Sequence, residues 1–202
     1  MSRAKAYCFP IFVVCLVLLC VAQCADEDLE LAAQLYQQAM NKGSIDAINS
    51  LAQCYEYGRG VAKNEKKAAE LYQQAADKGN VEAMNNLARC YEYGRGVAKN
   101  EIKAVELYQE GMDKGNADAI NNLARCYGNG RGVAKDATKA SWLYRQAMEE
   151  GSIDAINTLA ECYEHARGVA KNVTKAANLY EQAVNEGHVG ATINLARCYA
   201  HG

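Results

Sequence analysis

The chain has 202 residues and a net charge of −2, and half of its residues are apolar. This composition excludes an intrinsically disordered chain, and a single proline among many Ala, Leu, Glu, Gln and Lys residues favours helices. The slight acidity also argues against nucleic-acid binding, which needs a basic surface.

The first 24 residues are predicted to be a signal peptide. Arg3 and Lys5 precede an apolar run from Tyr7 to Ala22, an order typical of secretory signals. The run is shorter than the ~20 residues of a membrane-spanning helix. We therefore expect cleavage after Ala22 or Cys24, which changes the net charge from −2 to −4 because two basic residues are lost. An uncleaved signal anchor and a lipoprotein lipidated at Cys24 are the alternatives.

From Asp28 onward the sequence repeats itself every 36 residues. One cysteine and one glycine mark each unit: Cys54, Cys90, Cys126, Cys162 and Cys198, with Gly43, Gly79, Gly115, Gly151 and Gly187. Such a period predicts a solenoid, in which stacked units bury a core that no unit could bury alone. We divide the mature chain, 25–202, into repeats 29–64, 65–100, 101–136, 137–172 and 173–202.

Two helices are predicted in each repeat. Apolar residues at three- and four-residue spacing place the first helices at Leu31–Lys42, Lys66–Lys78, Ile102–Lys114, Thr138–Glu150 and Thr174–Glu186. The residues expected to cap four of these helices are Asn64, Asn100, Asp136 and Asn172. The second helix is expected to bury Ala83, Leu87 and Tyr91 and to end at the turn Gly94-Arg95-Gly96.

The five repeat cysteines are predicted to be buried thiols. Equivalent residues of stacked helices lie about 10 Å apart, whereas a disulfide needs Cα atoms within about 7 Å. An odd number in identical positions also argues against a disulfide framework. The other cysteines, Cys8, Cys15, Cys20 and Cys24, lie in the predicted signal peptide.

These positions resemble the Sel1-like repeat family, a relative of the tetratricopeptide repeats. The residues that carry the resemblance are Ala83, Leu87, Tyr91, Gly94, Gly96, Val97, Lys103, Ala104, Tyr108 and Gly115. The resemblance covers about residues 28–202 and implies an all-α, right-handed superhelical solenoid of about five two-helix repeats. Three departures are Ala88 and its equivalents for a glycine, Leu71 and its equivalents for a tryptophan, and Ala166 for the first turn glycine.

We expect no catalysis, cofactor or metal. The three histidines, His165, His188 and His201, do not cluster in the sequence, and no cysteine pair has zinc-ligand spacing. Some bacterial family members look like β-lactamases, which leaves an exported, cell-wall-directed enzyme as an alternative. The Ser-x-x-Lys motif that such an enzyme would need occurs here only from Ser2 to Lys5.

The second helices are expected to line a concave groove that binds an extended protein or peptide. Two polar rows follow their apolar stripe: Asn49, Asn85, Asn121 and Asn157, and one turn on, Gln53, Arg89, Arg125, Glu161 and Arg197. Asparagine can donate to and accept from a peptide backbone, and Arg89 and Arg125 could hold a carboxylate. Alternatively, a duplicated helix simply shows water the same polar residues in every copy.

Three further features have two interpretations each. Trp142 occupies a polar repeat position and is either packed under a long side chain or an exposed anchor for a partner. Asn172-Val173-Thr174 is a glycosylation sequon as well as a helix cap. The last helix carries Ile193 and Tyr199 on a side that another copy of the chain could cover, which gives a structural oligomer as an alternative function.

By the family resemblance, lumenal members act as adaptors in quality-control assemblies, and exported bacterial members engage host or envelope proteins. The resemblance therefore implies a non-catalytic adaptor of the secretory pathway or the extracellular space. We expect it to bind protein and not nucleic acid, and to have no membrane span after the signal is removed.

Overall fold

A computed structural model describes residues 27–201, with the side chains of 27–200. The predicted signal peptide, its four cysteines and the Ser2-to-Lys5 motif lie outside the described residues. None of the helices within 27–201 is both long enough and apolar enough to cross a membrane.

The described residues form ten helices and no strand, which confirms the all-α prediction. The helices are α1 (27–41), α2 (Ile45–Tyr57), α3 (Glu65–Asp77), α4 (Val81–Tyr93), α5 (Glu101–Asp113), α6 (Ala117–Asn129), α7 (Ala137–Glu149), α8 (Ile153–His165), α9 (Val173–Asn185) and α10 (Val189–His201). The first helices of repeats two to five begin and end one residue earlier than predicted, because the first helical residue directly follows the cap.

The predicted helix caps are confirmed, and a second set was missed. Asn64, Asn100, Asp136 and Asn172 accept a hydrogen bond from the backbone N–H three residues on, at 2.8–3.0 Å. The second helices have caps of their own, which are Ser44, Asn80, Asn116 and Ser152. In α10 the imidazole Nδ1 of His188 takes this place, accepting from the N–H of Ala191 at 2.9 Å.

The chain divides into two compact units, the first ending at Lys78 and the second beginning at Gly79. In the first unit α2 packs along α3 and buries Leu51 and Tyr72. In the second unit the closest helix pairs are α4 with α5, α6 with α7 and α8 with α9. One continuous core of Ala, Leu, Ile, Tyr and Cys side chains runs through this second unit.

The fully buried tyrosines belong to the first helices, as with Tyr108 and Tyr180. Tyr91, which the sequence places on the core face of a second helix, is only partly buried. Its hydroxyl accepts from Lys103 Nζ at 2.8 Å, and the ammonium lies 4.4 Å from the ring centroid. A basic residue at the start of the next helix thus covers an aromatic edge that we expected to be in the core.

The repeat cysteines are buried, as predicted, except at the last position. Cys54, Cys126 and Cys162 are buried free thiols, and Cys90 is buried as well. Burial raises the pKa of Cys126 to about 12, so this thiol stays protonated and unreactive at neutral pH. Cys198 on α10 is partly exposed, which is a correction to the prediction.

The two glycines of the turn between paired helices have different functions. The first ends the helix in the left-handed region, with φ of 72° at Gly130, and Ala166 adopts the same conformation with φ of 56°. The second, Gly132 in the same turn, lies so close to the start of α5 that a Cβ atom would overlap the carbonyl oxygen of Glu101. The first position therefore needs a backbone conformation, and the second needs the absence of a side chain.

Ala166→Gly should stabilise the protein by about 0.5–1 kcal/mol, because the left-handed conformation is unfavourable for alanine and accessible to glycine. The measurement is urea unfolding followed by far-UV circular dichroism. The matched control is Gly130→Ala, which creates the same strain at the equivalent residue and should destabilise. A gain in stability for both variants would contradict the explanation.

Gly132→Ala should destabilise by at least about 3 kcal/mol, because backbone strain adds to the steric overlap with Glu101. Gly130→Ala is the comparison here too, since its Cβ would lie 3.2 Å from the Lys135 Cβ and overlap no backbone atom. The same unfolding experiment measures both losses. Equal losses would show that the overlap is relieved at no cost.

Candidate functional site

Two adjoining polar cavities lie along the second helices α4, α6 and α8 in the second unit. Cavity A has a volume of about 710 Å³ and is lined by Asn85, Arg89, Tyr93, Arg95, Asp118, Asn121, Asn122, Arg125 and Asp154. Cavity B has a volume of about 450 Å³ and is lined by Asn121, Arg125, Asn129, Tyr144, Asp154, Asn157, Thr158, Arg167 and His188. The cavities share Asn121, Arg125 and Asp154.

Five of the predicted groove residues line these cavities: Asn85, Arg89, Asn121, Arg125 and Asn157. Asn49 lies on α2 of the first unit and is buried, with 4% of its surface exposed. Trp142 lies on α7, a first helix, is 50% exposed and lines neither cavity. Asn172 is the exposed cap of α9, and its glycosylation stays a prediction.

The asparagine row is largely engaged in bonds between repeats. Asn122 Nδ2 donates to Asn85 Oδ1 at 2.8 Å, and Asn194 Nδ2 donates to Asn157 Oδ1 at 3.0 Å. Sequence reasoning missed this pairing, although an Asn-Asn doublet at 85–86 and again at 121–122 was a signal for it. These two carbonyl oxygens therefore help to join neighbouring repeats.

Asn121 is the exception in this row. The residue that should donate to it is Thr158, which replaces the asparagine found at 122 and 194. The Thr158 hydroxyl instead donates to the backbone carbonyl of Asp154 at 2.9 Å. Asn121 Oδ1 is consequently buried with no hydrogen-bond partner.

A buried carboxylate, Glu92, lies beneath cavity A. It is 2% exposed and accepts from the Tyr108 hydroxyl at 2.8 Å, from Arg125 Nη2 at 2.9 Å and from Arg131 Nη1 at 2.9 Å. Arg125, which we expected to hold a partner's carboxylate, therefore already holds one from its own chain. This carboxylate comes from the preceding repeat, 33 residues away in the sequence.

Glu92 is charged in the folded protein. Burial by itself would raise its pKa, but the hydrogen bond from Tyr108 and the charge and hydrogen bonds of the two arginines lower it below the ordinary value. The pKa of Tyr108 is raised by burial and by the neighbouring carboxylate, so the phenol remains a donor.

The same glutamate–tyrosine bond recurs at two other repeat junctions but is absent from the junction of the third and fourth repeats. Tyr72 donates to Glu56 at 2.6 Å, and Tyr180 donates to Glu164 at 2.7 Å. In the third repeat the glutamate is replaced by Gly128, and the following tyrosine is Tyr144. Tyr144 is 7% exposed and lines cavity B.

Chemistry at a metal centre has no support in the geometry of 27–201. Within these residues no group of three His, Cys, Asp or Glu side chains could hold a metal ion. The cavities are suited to hydrogen bonding with amide and charged groups.

Glu92→Gln should destabilise the protein by about 2–3 kcal/mol near neutral pH, because Arg125 and Arg131 lose their counter-charge. The folded-state pKa of Glu92 is lowered, so its contribution is complete above the unfolded pKa of about 4.3 and disappears as pH falls through the folded value. Urea unfolding at about pH 7 and about pH 3 should therefore show a difference from wild type that shrinks in acid.

Glu164→Gln is the control for this experiment, because the nearest guanidinium of Glu164, that of Arg197, lies at 3.4 Å and is 46% exposed. Its loss should be smaller. A difference for Glu92→Gln that does not change with pH would contradict the assignment.

Solved structures of similar fold are known from bacteria. A Sel1 repeat protein of Oxalobacter formigenes is 29% identical with a TM-score of 0.79, covering 84% of this chain and 68% of that one. A protective antigen of uropathogenic Escherichia coli is 28% identical with a TM-score of 0.69, covering 86% of this chain and 37% of that one. An immunity protein of Pseudomonas aeruginosa is 25% identical with a TM-score of 0.60, covering 79% and 59%.

The chain spans between 37% and 68% of the length of these three structures. A comparison with curated proteins gives no match. The family model of the Sel1 repeat matches residues 23–44, 45–80, 81–116, 117–152 and 153–188. Its repeats begin at the second helix, whereas ours begin at the first, and the 36-residue period is the same. The chain belongs to the Sel1 repeat family.

Proposed function

We propose that cavities A and B form a groove that binds a polypeptide partner, and that the protein is a non-catalytic adaptor. The observation that carries this proposal is the alignment of polar side chains from α4, α6 and α8 around two adjoining cavities. Sel1 repeats are in general protein-interaction modules, which is the coarser statement that family membership supports.

The size and chemistry of the cavities fit a peptide better than a small apolar ligand. Cavity A lies within the range of about 300–1,000 Å³ typical of ligand sites, but asparagine, arginine and aspartate dominate its lining. An extended peptide presents N–H and C=O groups in alternation and can use such a lining along its length. Asp118 and Asp154 add negative charge at the exposed rim.

The similar structures support a role without catalysis. One is described as a protective antigen and another as an immunity protein, and neither description is that of an enzyme. An exported β-lactamase-like enzyme would need its nucleophile outside 27–201, since the only Ser-x-x-Lys motif begins at Ser2.

Export is part of the proposal and depends on the N-terminal segment. The basic residues and the apolar run within 1–24 have the order of a secretory signal. We therefore propose that the adaptor acts in the secretory pathway or outside the cell. Buried, protonated cysteines such as Cys126 suit an oxidising compartment because they cannot readily form mixed disulfides.

Self-association is a second candidate, supported by the surface of α10. Val189, Ile193 and Tyr199 are 81%, 70% and 71% exposed, and an apolar surface of this kind is suited to protein contact. Another copy of the chain would cover it. Sedimentation velocity over a range of concentrations separates a monomer from such an assembly.

The groove is tested by Asp118→Ala/Asn121→Ala/Asp154→Ala, which changes the lining of both cavities and spares the Glu92 network. We expect a partner captured by the wild type from the native secretory fraction to be lost with this variant. Affinity capture followed by mass spectrometry is the measurement. Equal melting temperatures of the wild type and the variant establish that the fold is intact.

The matched control is Glu106→Ala/Gln146→Ala/Glu149→Ala, which also removes two carboxylates and one amide, but from the first helices α5 and α7. It should retain the partner. Partners retained equally by the groove variant and the wild type would place the interaction elsewhere, with the exposed Trp142 as the next surface to test.

A further inference from the structure

Three departures from the repeat pattern meet at the junction of the third and fourth repeats. Gly128 stands where Glu56, Glu92 and Glu164 stand in other repeats. Thr158 stands where Asn122 and Asn194 stand, and Glu161 replaces the arginine found at 125 and 197. Thr158 lines cavity B, and the other two substitutions change the partners of its lining residues Tyr144 and Arg167.

The first departure leaves a hydrogen-bond donor without an acceptor. Tyr144 is equivalent to Tyr108, whose hydroxyl donates to Glu92 at 2.8 Å. With glycine at 128, the Tyr144 hydroxyl has no hydrogen-bond partner among the described residues; the residue as a whole is 7% exposed, and its hydroxyl is open to cavity B. Burial raises the pKa of Tyr144, so the group stays a donor.

The second departure leaves an acceptor without a donor. Asn121 Oδ1 is buried and unpaired, whereas the equivalent oxygens of Asn85 and Asn157 accept from an asparagine of the next repeat at 2.8 and 3.0 Å. Each buried polar group left unpaired costs about 1–3 kcal/mol. The unpaired Asn121 oxygen therefore carries such a cost unless a ligand donates to it, and the Tyr144 hydroxyl that lines the same cavity can donate to that ligand.

The third departure leaves the site without an arginine that lacks a counter-charge. Two arginines, Arg125 and Arg131, surround Glu92, but each arginine that lines cavity B has its own carboxylate. Arg125 is 2.9 Å from Glu92, and Arg167 is 3.3 Å from Glu161. A carboxylate ligand would find no arginine without a counter-charge and would lie near Glu161.

We infer that cavity B binds the side-chain carboxamide of a glutamine or asparagine in the partner, with its C=O accepting from Tyr144 and its NH₂ donating to Asn121. A carboxamide has the planar shape of the missing glutamate carboxylate, carries no charge, and supplies one acceptor and the needed donor. The inference rests on the proposed groove function and specifies the partner residue that the groove recognises.

The probe is a library of random hexapeptides, acetylated at the N-terminus and capped as the N-methylamide at the C-terminus, so that every carboxylate and every primary carboxamide is a side chain. The library is applied to the immobilised full chain, and the retained peptides are identified by mass spectrometry. We expect Gln or Asn to be enriched about tenfold over Glu or Asp at one position, in keeping with a pair of hydrogen bonds at a site whose arginines already have counter-charges.

The variant Gly128→Glu/Glu161→Arg gives the Tyr144 hydroxyl an acceptor within the chain, because it restores at this junction the glutamate and arginine found at positions 92 and 125. It should abolish the enrichment. Its control is Gly128→Ala, whose Cβ would lie 3.6 Å from the Ala140 Cβ, an ordinary contact that leaves the cavity open. This control should keep the enrichment and be slightly more stable, since glycine is unfavourable within a helix.

Thr158→Asn tests the acceptor, Asn121 Oδ1, independently. It supplies Asn121 Oδ1 with the donor that the other repeats have, so it should raise the melting temperature and reduce the enrichment. Loss of enrichment in a variant that is at least as stable as the wild type cannot be attributed to unfolding.

Three results would overturn the carboxamide site and leave the groove function standing. The first is enrichment of Asp or Glu, and the second is a glutamine preference that neither Gly128→Glu/Glu161→Arg nor Thr158→Asn changes. The third is retention of peptides without any residue preference that is lost in both variants, which would indicate that the cavity binds a main-chain amide. Retention of no peptide by the wild type would count against the groove itself.

Discussion

The interaction on which the repeat stack depends is the buried carboxylate that ends a second helix. Glu92 accepts hydrogen bonds from a tyrosine of α5, from Arg125 on α6 and from Arg131 in the turn that follows α6. One side chain thus fixes the end of its own helix to three later elements. A buried charge is stable only with such partners, so the loss of either arginine would leave Glu92 with less of its compensating charge.

Much of the fold could be predicted from the sequence because it depends on local rules. The 36-residue period, the paired helices and the caps at Asn64, Asn100, Asp136 and Asn172 follow from spacing and from hydrogen-bonding groups a few residues apart. The caps at Ser44 and Ser152 obey the same rule but directly follow the glycine that ends the first helix, so the sequence indicates only a turn there. The starts of the first helices in repeats two to five were wrong by one residue, within the usual uncertainty of helix boundaries, whereas α1 begins four residues before the predicted Leu31.

For the candidate site, the sequence predicted which residues share one face of the repeats but not which residues they bond to. Asn85, Asn121 and Arg125 do line the cavities, because residues 36 apart must share one face of the stack. Their partners are 33 and 37 residues away, in the next repeat, and the spacing within one helix does not show which of two neighbouring polar rows bonds across. The sequence therefore did not show that Arg125 donates a hydrogen bond to Glu92 of its own chain.

In a repeat protein, equivalent positions of the repeats can be compared with one another, so a residue that departs from the pattern in one repeat is easily identified. Comparison with the second and third repeats identifies three such changes. Gly128 lacks the acceptor that Glu92 supplies, Thr158 lacks the amide donor of Asn122, and Glu161 has the opposite charge to Arg125. Random drift of a surface position would leave water-exposed groups that cost little. Here the consequences are a buried, unpaired asparagine oxygen and a tyrosine hydroxyl that lines the same cavity without a partner among the described residues. The equivalent groups are paired at other junctions, so the unpaired groups make the junction of the third and fourth repeats less stable. Binding of a partner that pairs with them would offset this loss of stability.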